Sequence, residues 1–393
     1  MAHYPYLIVG GGMTAASAID GIRQVDPEGT IGLISQESHP PYNRPPLSKG
    51  LWKGKPVEKI FRRIDQAGVE VHLARKVISL DAPSKTVTDD RGKTYTYNKL
   101  LLATGGSPRQ LPFQHDKILY FRTLDDYARL RALAAGGRRF AVLGGGFIGS
   151  EIAAALAGAG QEVVMVFPEE GIGSLVYPPD LAQFLNGYYR ENGVEVRAGE
   201  MIVDVEPRGE GLVLKTQSGV EIDADAVVAG IGIRLNTELA QQAGLAVNNG
   251  ILVDEYLRTT QADIYAAGDV ANFFNPLLGK RLRVEHEDNA NSMGKLAGQN
   301  MASAQPAPYL HMPFFYSDLF DLGYEAVGEL DSRLETFADW QEKYHQGVIY
   351  YLSQGRVRGV LLWNVWGQVE AARRLLAEPG PFDAGNLKGR LPV

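Results

Sequence analysis

The 393-residue chain contains no cysteine. That absence excludes disulfides, thiolate metal sites, cysteine-ligated iron–sulfur clusters and any thiol relay for electrons. Long hydrophobic runs are missing too. No segment approaches the roughly 18 consecutive apolar residues of a membrane-spanning helix. The start, Met1-Ala2-His3-Tyr4-Pro5, carries no charged leader region, no long apolar stretch and no cleavage site. A cytoplasmic protein without a membrane span is the expectation. Basic residues are the minority, 39 Lys and Arg against 46 Asp and Glu, for a net charge of -7. They are spread along the chain with no basic arm, so no nucleic-acid partner is expected. No metal is expected either. What remains is ordinary for a soluble globular protein, 45% hydrophobic and 22% charged. The length suits two or three domains.

Against this background two glycine-rich turns stand out. Gly10-Gly11-Gly12-Met13-Thr14-Ala15 follows the apolar run Tyr6-Leu7-Ile8-Val9, and Gly144-Gly145-Gly146-Phe147-Ile148-Gly149 follows Phe140-Ala141-Val142-Leu143. Each lies between a short strand-like run and an alanine-rich amphipathic stretch, the context of a dinucleotide fingerprint. In such a turn the glycines let backbone N–H groups approach a pyrophosphate, which sits on the helix N-terminus. Two sites in one chain imply one dinucleotide passing electrons to another, hence an oxidoreductase.

The coarse reading supports a duplicated α/β unit. Residues 6–34 read as strand, glycine turn, helix from Thr14 to Val25 and second strand from Thr30 to Ile34. Val69 to Leu73 alternates like a strand, a hairpin follows around Asp89-Asp90-Arg91-Gly92, and Lys99 to Ala103 reads as a buried strand. The order recurs after the second fingerprint: helix 148–158, strand 162–167, helix 180–192, strand 194–197, hairpin-like strands over 201–222, and a buried strand from Ala226. Gly12 and Gly146 stand 134 residues apart, a period that suits two copies of one domain. After 310 the chain turns aromatic and alternating, with strands near 347–352 and 357–363 and a helix near 368–377. These predict a small antiparallel-sheet domain.

The loop Pro40-Pro41-Tyr42-Asn43-Arg44-Pro45-Pro46-Leu47-Ser48-Lys49 is more specific than either fingerprint. Its prolines fix the path and hold two cations, Arg44 and Lys49, suited to a phosphate and an electron-rich ring. An acid some 20 residues or more beyond the first fingerprint should meet ribose hydroxyls; Glu37 fits, with Gln36 beside it as the alternative. Ala15 stands at the third glycine position, which the fingerprint tolerates. Asp269, in Tyr265-Ala266-Ala267-Gly268-Asp269, suits a polyol hydroxyl. In the second copy, the strand from Glu162 to Phe167 leads into Pro168-Glu169-Glu170 with no Arg or Lys at 166–172. A carboxylate there accepts the ribose 2′-OH and repels a 2′-phosphate, so Glu169 predicts NADH over NADPH. Gly232, at a strand end, is a candidate for the nicotinamide half or a tight turn.

Taken in order, GGGMTA, PPYNRPPLSK, LLLATGGSPR, GGGFIGSE, YAAGDV, RVEHEDNANSMGKLAGQNM and FFYSDL resemble the apoptosis-inducing-factor branch of the ferredoxin-reductase-type FAD/NADH flavoproteins. These sit in the pyridine nucleotide-disulfide oxidoreductase superfamily, here without redox cysteines. The resemblance covers essentially the whole chain. It implies a glutathione-reductase-like α/β fold. An FAD-binding domain (1–122 and 251–308) would be interrupted by an NADH-binding domain (123–250) and followed by a C-terminal α+β domain (309–393).

Residue by residue, the resemblance implies FAD on Gly10, Gly12, Ala15 and Arg44, on Lys49 beside the flavin N5, near the main chain of Val77, and on Ala103, Thr104, Gly105, Arg109 and Asp269. NADH would take Gly144, Gly146 and Gly149. Glu151 would lie against Lys49, keeping the lysine charged and aimed; charge near the flavin N5 tunes its potential. Glu285 and His286 would approach the flavin pyrimidine edge, and Phe315 and Tyr316 would cover the nicotinamide pocket. Tyr316 stands where the apoptosis-factor branch has Trp, and Glu287 where it has a second His. Hydride transfer between the two rings needs no side-chain acid or base. The implied activity is NADH oxidation through FAD to a separate one-electron carrier such as a ferredoxin or rubredoxin. The alternative is an NADH-binding redox sensor or assembly factor with slow oxidation, a charge-transfer complex and possible homodimerisation.

Overall fold

The computed structural model describes residues 2–64 and 68–392. The chain divides into two compact units. The first takes residues up to Arg44, Pro56–Ser107 and Arg234–Pro313. Its centre is a seven-stranded sheet. Ala2–Val9 lies between Ile31–Ile34 and Thr94–Leu102, parallel to both. Leu7 and Ile8 are fully buried, as a strand covered on two faces requires. Thr94–Leu102 does double duty. Its start pairs antiparallel with Thr86–Asp89, while Leu100 to Leu102 pair parallel with Ile264–Ala266. The sequence reading splits this strand into a hairpin arm and a buried strand; the fold runs them together.

The helix Met13–Val25 covers this sheet and crosses the helix Glu287–Ala302 closely enough for backbone to touch backbone. A Cβ placed on Gly298 would stand 2.1 Å from the Ala18 carbonyl oxygen, on Gly294 2.4 Å from that of Thr14, and on Gly21 2.0 Å from that of Lys295. These glycines are packing residues, and their small size sets the helix separation.

The second unit takes Pro45–Lys55, Pro108–Ile233 and the chain from Phe314 onward. A parallel five-stranded sheet runs in the order Val194–Ala198, Glu162–Phe167, Arg139–Leu143, Ala226–Ala229, Ile118–Tyr120. The helix Phe147–Gly158 leaves its second fingerprint, and a three-stranded antiparallel meander spans Ile202–Arg208, Gly211–Thr216 and Glu221–Ala224. The C-terminal part is a five-stranded antiparallel sheet ordered Phe314–Leu319, Leu322–Gly328, Arg356–Trp363, Gln346–Ser353, Glu335–Glu342. The helix Val369–Ala377 buries Ala372, Leu375 and Leu376. The sequence pattern reveals two of the three inner strands of this sheet, Gln346–Ser353 and Arg356–Trp363. Glu335–Glu342, at an edge and mostly exposed, carries no clean alternation to detect. No helix among the described residues is long and apolar enough to cross a membrane.

Substituting Gly298 by Val should cost about 1–3 kcal/mol, because the helix pair must separate. Gly187, helical and with nothing within 4 Å of a built Cβ, is the control. Its change to Ala should be neutral or stabilise by up to about 1 kcal/mol. Thermal unfolding of the two variants beside the parent checks both.

Candidate functional site

In the first unit the glycine turn is shaped by close approach. Gly10 has φ +119°, and a Cβ there would lie 2.1 Å from the Ala103 carbonyl oxygen, while the Ala103 N–H donates to Val9 O at 2.8 Å. Ala15, fully buried, lets the helix settle on the sheet. Gly12 is open: the only atom within 4 Å of its built Cβ is Arg44 Nη2, at 3.9 Å. The helix Met13–Val25 begins at Gly12 with no side-chain cap and no acid in its first turn. Its N-terminal N–H groups and Arg44 therefore present one positive cradle, which suits the pyrophosphate of a dinucleotide.

Other expected residues gather in the same unit. Asp269 lies in the turn Gly268–Val270, and its negative charge reaches Arg44. Gly268, at φ +78°, packs against the Thr14 side chain. Thr104 and Gly105 are knotted to Asn236: Thr104 Oγ1 donates to Asn236 O (2.7 Å), Asn236 Nδ2 to Thr104 O (2.9 Å) and Asn236 N to Gly105 O (3.0 Å). Val77 is buried at the start of the strand Val77–Asp81. Glu285, exposed, accepts from Arg283 Nη1 at 2.5 Å. His286, half-buried, is the residue from which the helix Glu287–Ala302 starts.

The second unit repeats the glycine geometry. Gly144 has φ +108°, with the Gly230 carbonyl oxygen 2.5 Å from a built Cβ, and Gly149 packs on the Gly144 carbonyl at 1.9 Å. Gly146 has nothing within 4 Å, and the helix Phe147–Gly158 starts there without a side-chain cap or a first-turn acid. This cradle also fits a pyrophosphate. Glu169 is half-buried, and its carboxylate makes no hydrogen bond or ion pair among the described residues. Gly232, at φ +88°, accepts from the Arg109 N–H at 3.0 Å. Arg109 Nε donates to Ile233 O at 3.2 Å, so this exposed arginine is tied to the chain at Gly232 and Ile233.

The strongest polar constellation lies within this second unit. Lys49 Nζ meets Glu151 Oε2 at 2.5 Å, the side chains 11% and 3% exposed. Ser48 Oγ donates to Glu151 Oε2 at 2.6 Å, and Ser317 Oγ donates to Oε1 at 2.5 Å. Both carboxylate oxygens are therefore satisfied, as a buried charge requires. Tyr177, Tyr189 and Tyr324 surround it, and burial, with the Glu151 charge adding, pushes their phenols well up, so they stay neutral. Lys49 Nζ also lies 5.4 Å from the ring centre of Tyr316. Phe315 packs on Phe147 of the fingerprint at 5.5 Å. The loop bearing Lys49 is anchored behind by Trp52, which donates to Leu47 O at 2.9 Å and meets Tyr127 edge-on and Arg131 across its face. Ser48 and Ser317 escape a sequence reading. They sit beside Lys49 and Tyr316 in motifs, but their common partner is 103 and 166 residues away.

Residues 4–294 match the family described as pyridine nucleotide-disulphide oxidoreductase, and 297–342 with 338–378 match the C-terminal domain of mitochondrion-associated apoptosis-inducing factor. The chain belongs to the pyridine nucleotide-disulphide oxidoreductase family, and to its flavoprotein reductases of ferredoxin-reductase type, which use FAD and NAD(H). It is 37% identical to "Apoptosis-inducing factor 1, mitochondrial" of Dictyostelium discoideum over 95% of this chain and 78% of that protein. It is 34% identical to the ferredoxin--NAD(+) reductase component of the anthranilate 1,2-dioxygenase system of Burkholderia cepacia, over 96% and 95%. A crystal structure of the covalent putidaredoxin reductase–putidaredoxin complex superposes with a TM-score of 0.91 at 28% identity, covering 98% of this chain and 96% of that one.

Ser317→Ala removes one of the three bonds to a buried carboxylate. It should cost about 1.5–3 kcal/mol of stability, read by denaturant unfolding with FAD present; stability equal to the parent would show that the bond is not made.

Proposed function

We propose that this chain oxidises NADH and delivers the electrons to a separate one-electron carrier protein of the ferredoxin or rubredoxin kind. The observation that carries the reading is the buried Lys49–Glu151 pair with its two serine donors, in a chain without cysteine. FAD, when bound, takes two electrons together from NADH and can release them singly. The protein's contribution is placement. The uncapped turn at Gly10, Gly12 and Ala15, with Arg44, holds one pyrophosphate; the turn at Gly144, Gly146 and Gly149 holds the other, and Glu169 accepts its ribose hydroxyl. Val77, Ala103, Thr104, Gly105, Arg109, Asp269, Glu285 and His286 complete the flavin side, and Gly232 the nicotinamide side. Glu151 aims the Lys49 ammonium, and Phe315 and Tyr316 cover the nicotinamide pocket. With no thiol in the chain, electrons leave to the carrier without a cysteine relay. The domain limits follow the same division, with FAD on 1–122 and 251–308, NADH on 123–250 and a C-terminal domain from 309.

The similarity to a ferredoxin reductase over 95% of its length and to a rubredoxin reductase over 86% of its length supports this reading. A second reading rests on the match of 297–378 to the apoptosis-inducing-factor C-terminal domain: a slow NADH oxidase serving as an NADH-switched binding protein. Reducing the yellow protein with NADH and then adding ferredoxins, rubredoxins or air separates the two. Flavin reoxidation in seconds by a carrier is the expected result; a long-wavelength band persisting for minutes in air with every carrier inert would favour the switch. Lys49→Ala should shift the flavin potential and slow its reduction by NADH, and unchanged stopped-flow kinetics would remove Lys49 from its assigned place.

A further inference from the structure

The loop leading to Arg44 is pinned to residues 60–62 within the first unit by a short antiparallel bridge. Asn43 N donates to Ile60 O at 2.9 Å and Arg62 N to Pro41 O at 2.8 Å, which pairs Tyr42 with Phe61. The Arg62 side chain reaches further, with Nε on Asn43 Oδ1 (2.8 Å), Nη1 on Ser17 Oγ (3.0 Å) and Nη2 on Asn291 Oδ1 (2.6 Å). This fixes the backbone at 41–43 but leaves the long Arg44 side chain with its own rotamer freedom, worth about 2 kcal/mol.

That freedom is removed by Glu37 and Tyr42. Arg44 Nη2 donates to Glu37 Oε1, Tyr42 OH donates to Glu37 Oε2 at 2.5 Å, and Arg44 Nη1 donates to Tyr42 OH at 3.2 Å. The guanidinium carbon lies 5.1 Å from the Tyr42 ring centre. Burial would pull the Arg44 pKa down; the Glu37 charge, with Tyr42 and Asp269 behind it, turns the net shift upward. The outcome is an arginine held, before any ligand arrives, with Nη2 near the open Gly12 at the helix start. Both oxygens of the Glu37 carboxylate are engaged in this closed triangle.

We infer that Glu37 is a positioning residue for Arg44, acting with Tyr42 to pre-orient the guanidinium toward the dinucleotide pyrophosphate. The inference rests on the reading of this cradle as the FAD site. It revises the expectation that Glu37 itself meets the ribose. The distinction is physical. A ribose ligand contributes binding of its own, whereas a positioning carboxylate contributes only while the arginine it orients is present. Pre-organisation of this kind acts by removing an entropy cost at binding.

A double-mutant cycle on the full chain decides it. The dissociation constant of FAD is measured for the parent, Glu37→Ala, Arg44→Ala and the double variant, with riboflavin, which lacks both phosphates, as the control ligand. Expected are about tenfold weaker FAD binding for Glu37→Ala, a larger loss for Arg44→Ala, and a double variant no weaker than Arg44→Ala alone, with riboflavin binding unmoved throughout. Glu37→Gln, which keeps an acceptor oxygen for Arg44, should recover part of the loss; a merely structural glutamate would give no such non-additivity. Losses that add in the double variant would place Glu37 on the nucleotide and overturn the inference. If Arg44→Ala leaves FAD affinity unchanged, the reading of the cradle itself fails, a different outcome from additivity.

Discussion

The structure depends on one steric constraint used twice: the first glycine of each fingerprint is pressed against the carbonyl at the end of a neighbouring strand. Ala103 O does this to Gly10 and Gly230 O to Gly144, both at positive φ. A Cβ at either place would collide with backbone, which has nowhere to go. The close approach brings the strand end, the turn and the helix start into one compact corner. The third position then remains open at Gly12 and Gly146, so that the helix N–H groups face out with no side chain in the way. Ala15 and Gly149 complete the corner differently. Gly149 must be glycine because its Cβ would meet the Gly144 carbonyl, whereas the buried Ala15 leaves room for its methyl.

Where the sequence carries such local rules, the fold can be read from it. The strand Glu162–Phe167 and the helix Val369–Ala377 fall where hydrophobic periodicity puts them. The duplicated α/β plan follows from the spacing of the two glycine turns. Legibility fails where a partner is remote. Ser317 lies in a strand whose neighbours are aromatic, and nothing near it in sequence marks it as a donor to Glu151. Asn236 sits 132 residues from the Thr104 it ties down. Glu37 was visible as an acid after a strand, but its engagement with Arg44 and Tyr42 depends on the folding back of the proline loop. Exposed edge strands such as Glu335–Glu342 are quiet for another reason: with no residue fully buried, composition is only loosely constrained.

The proline loop shows how two cations close in sequence are kept to separate tasks. Arg44 belongs to the first unit and the chain from Pro45 to Lys55 to the second. Each cation is fixed by a carboxylate of its own unit, Arg44 by Glu37 and Lys49 by Glu151. Pro45 and Pro46 lie between them, with φ locked near −65°. An ion pair removed from water gains little net stability, since desolvation offsets most of the attraction. The gain is directional. A carboxylate with both oxygens engaged can hold its cation in only one way, and every partner added narrows that further. Glu37 has a phenol as its second partner, and Glu151 has two serine hydroxyls. Neutral donors suit this task, because another cation would cancel the field that each carboxylate sets up, whereas a hydroxyl satisfies the lone pairs and leaves the charge in place. The serines and the tyrosine are therefore as much a part of these sites as the charged residues they hold, and their substitution should be felt first as lost orientation of Lys49 and Arg44.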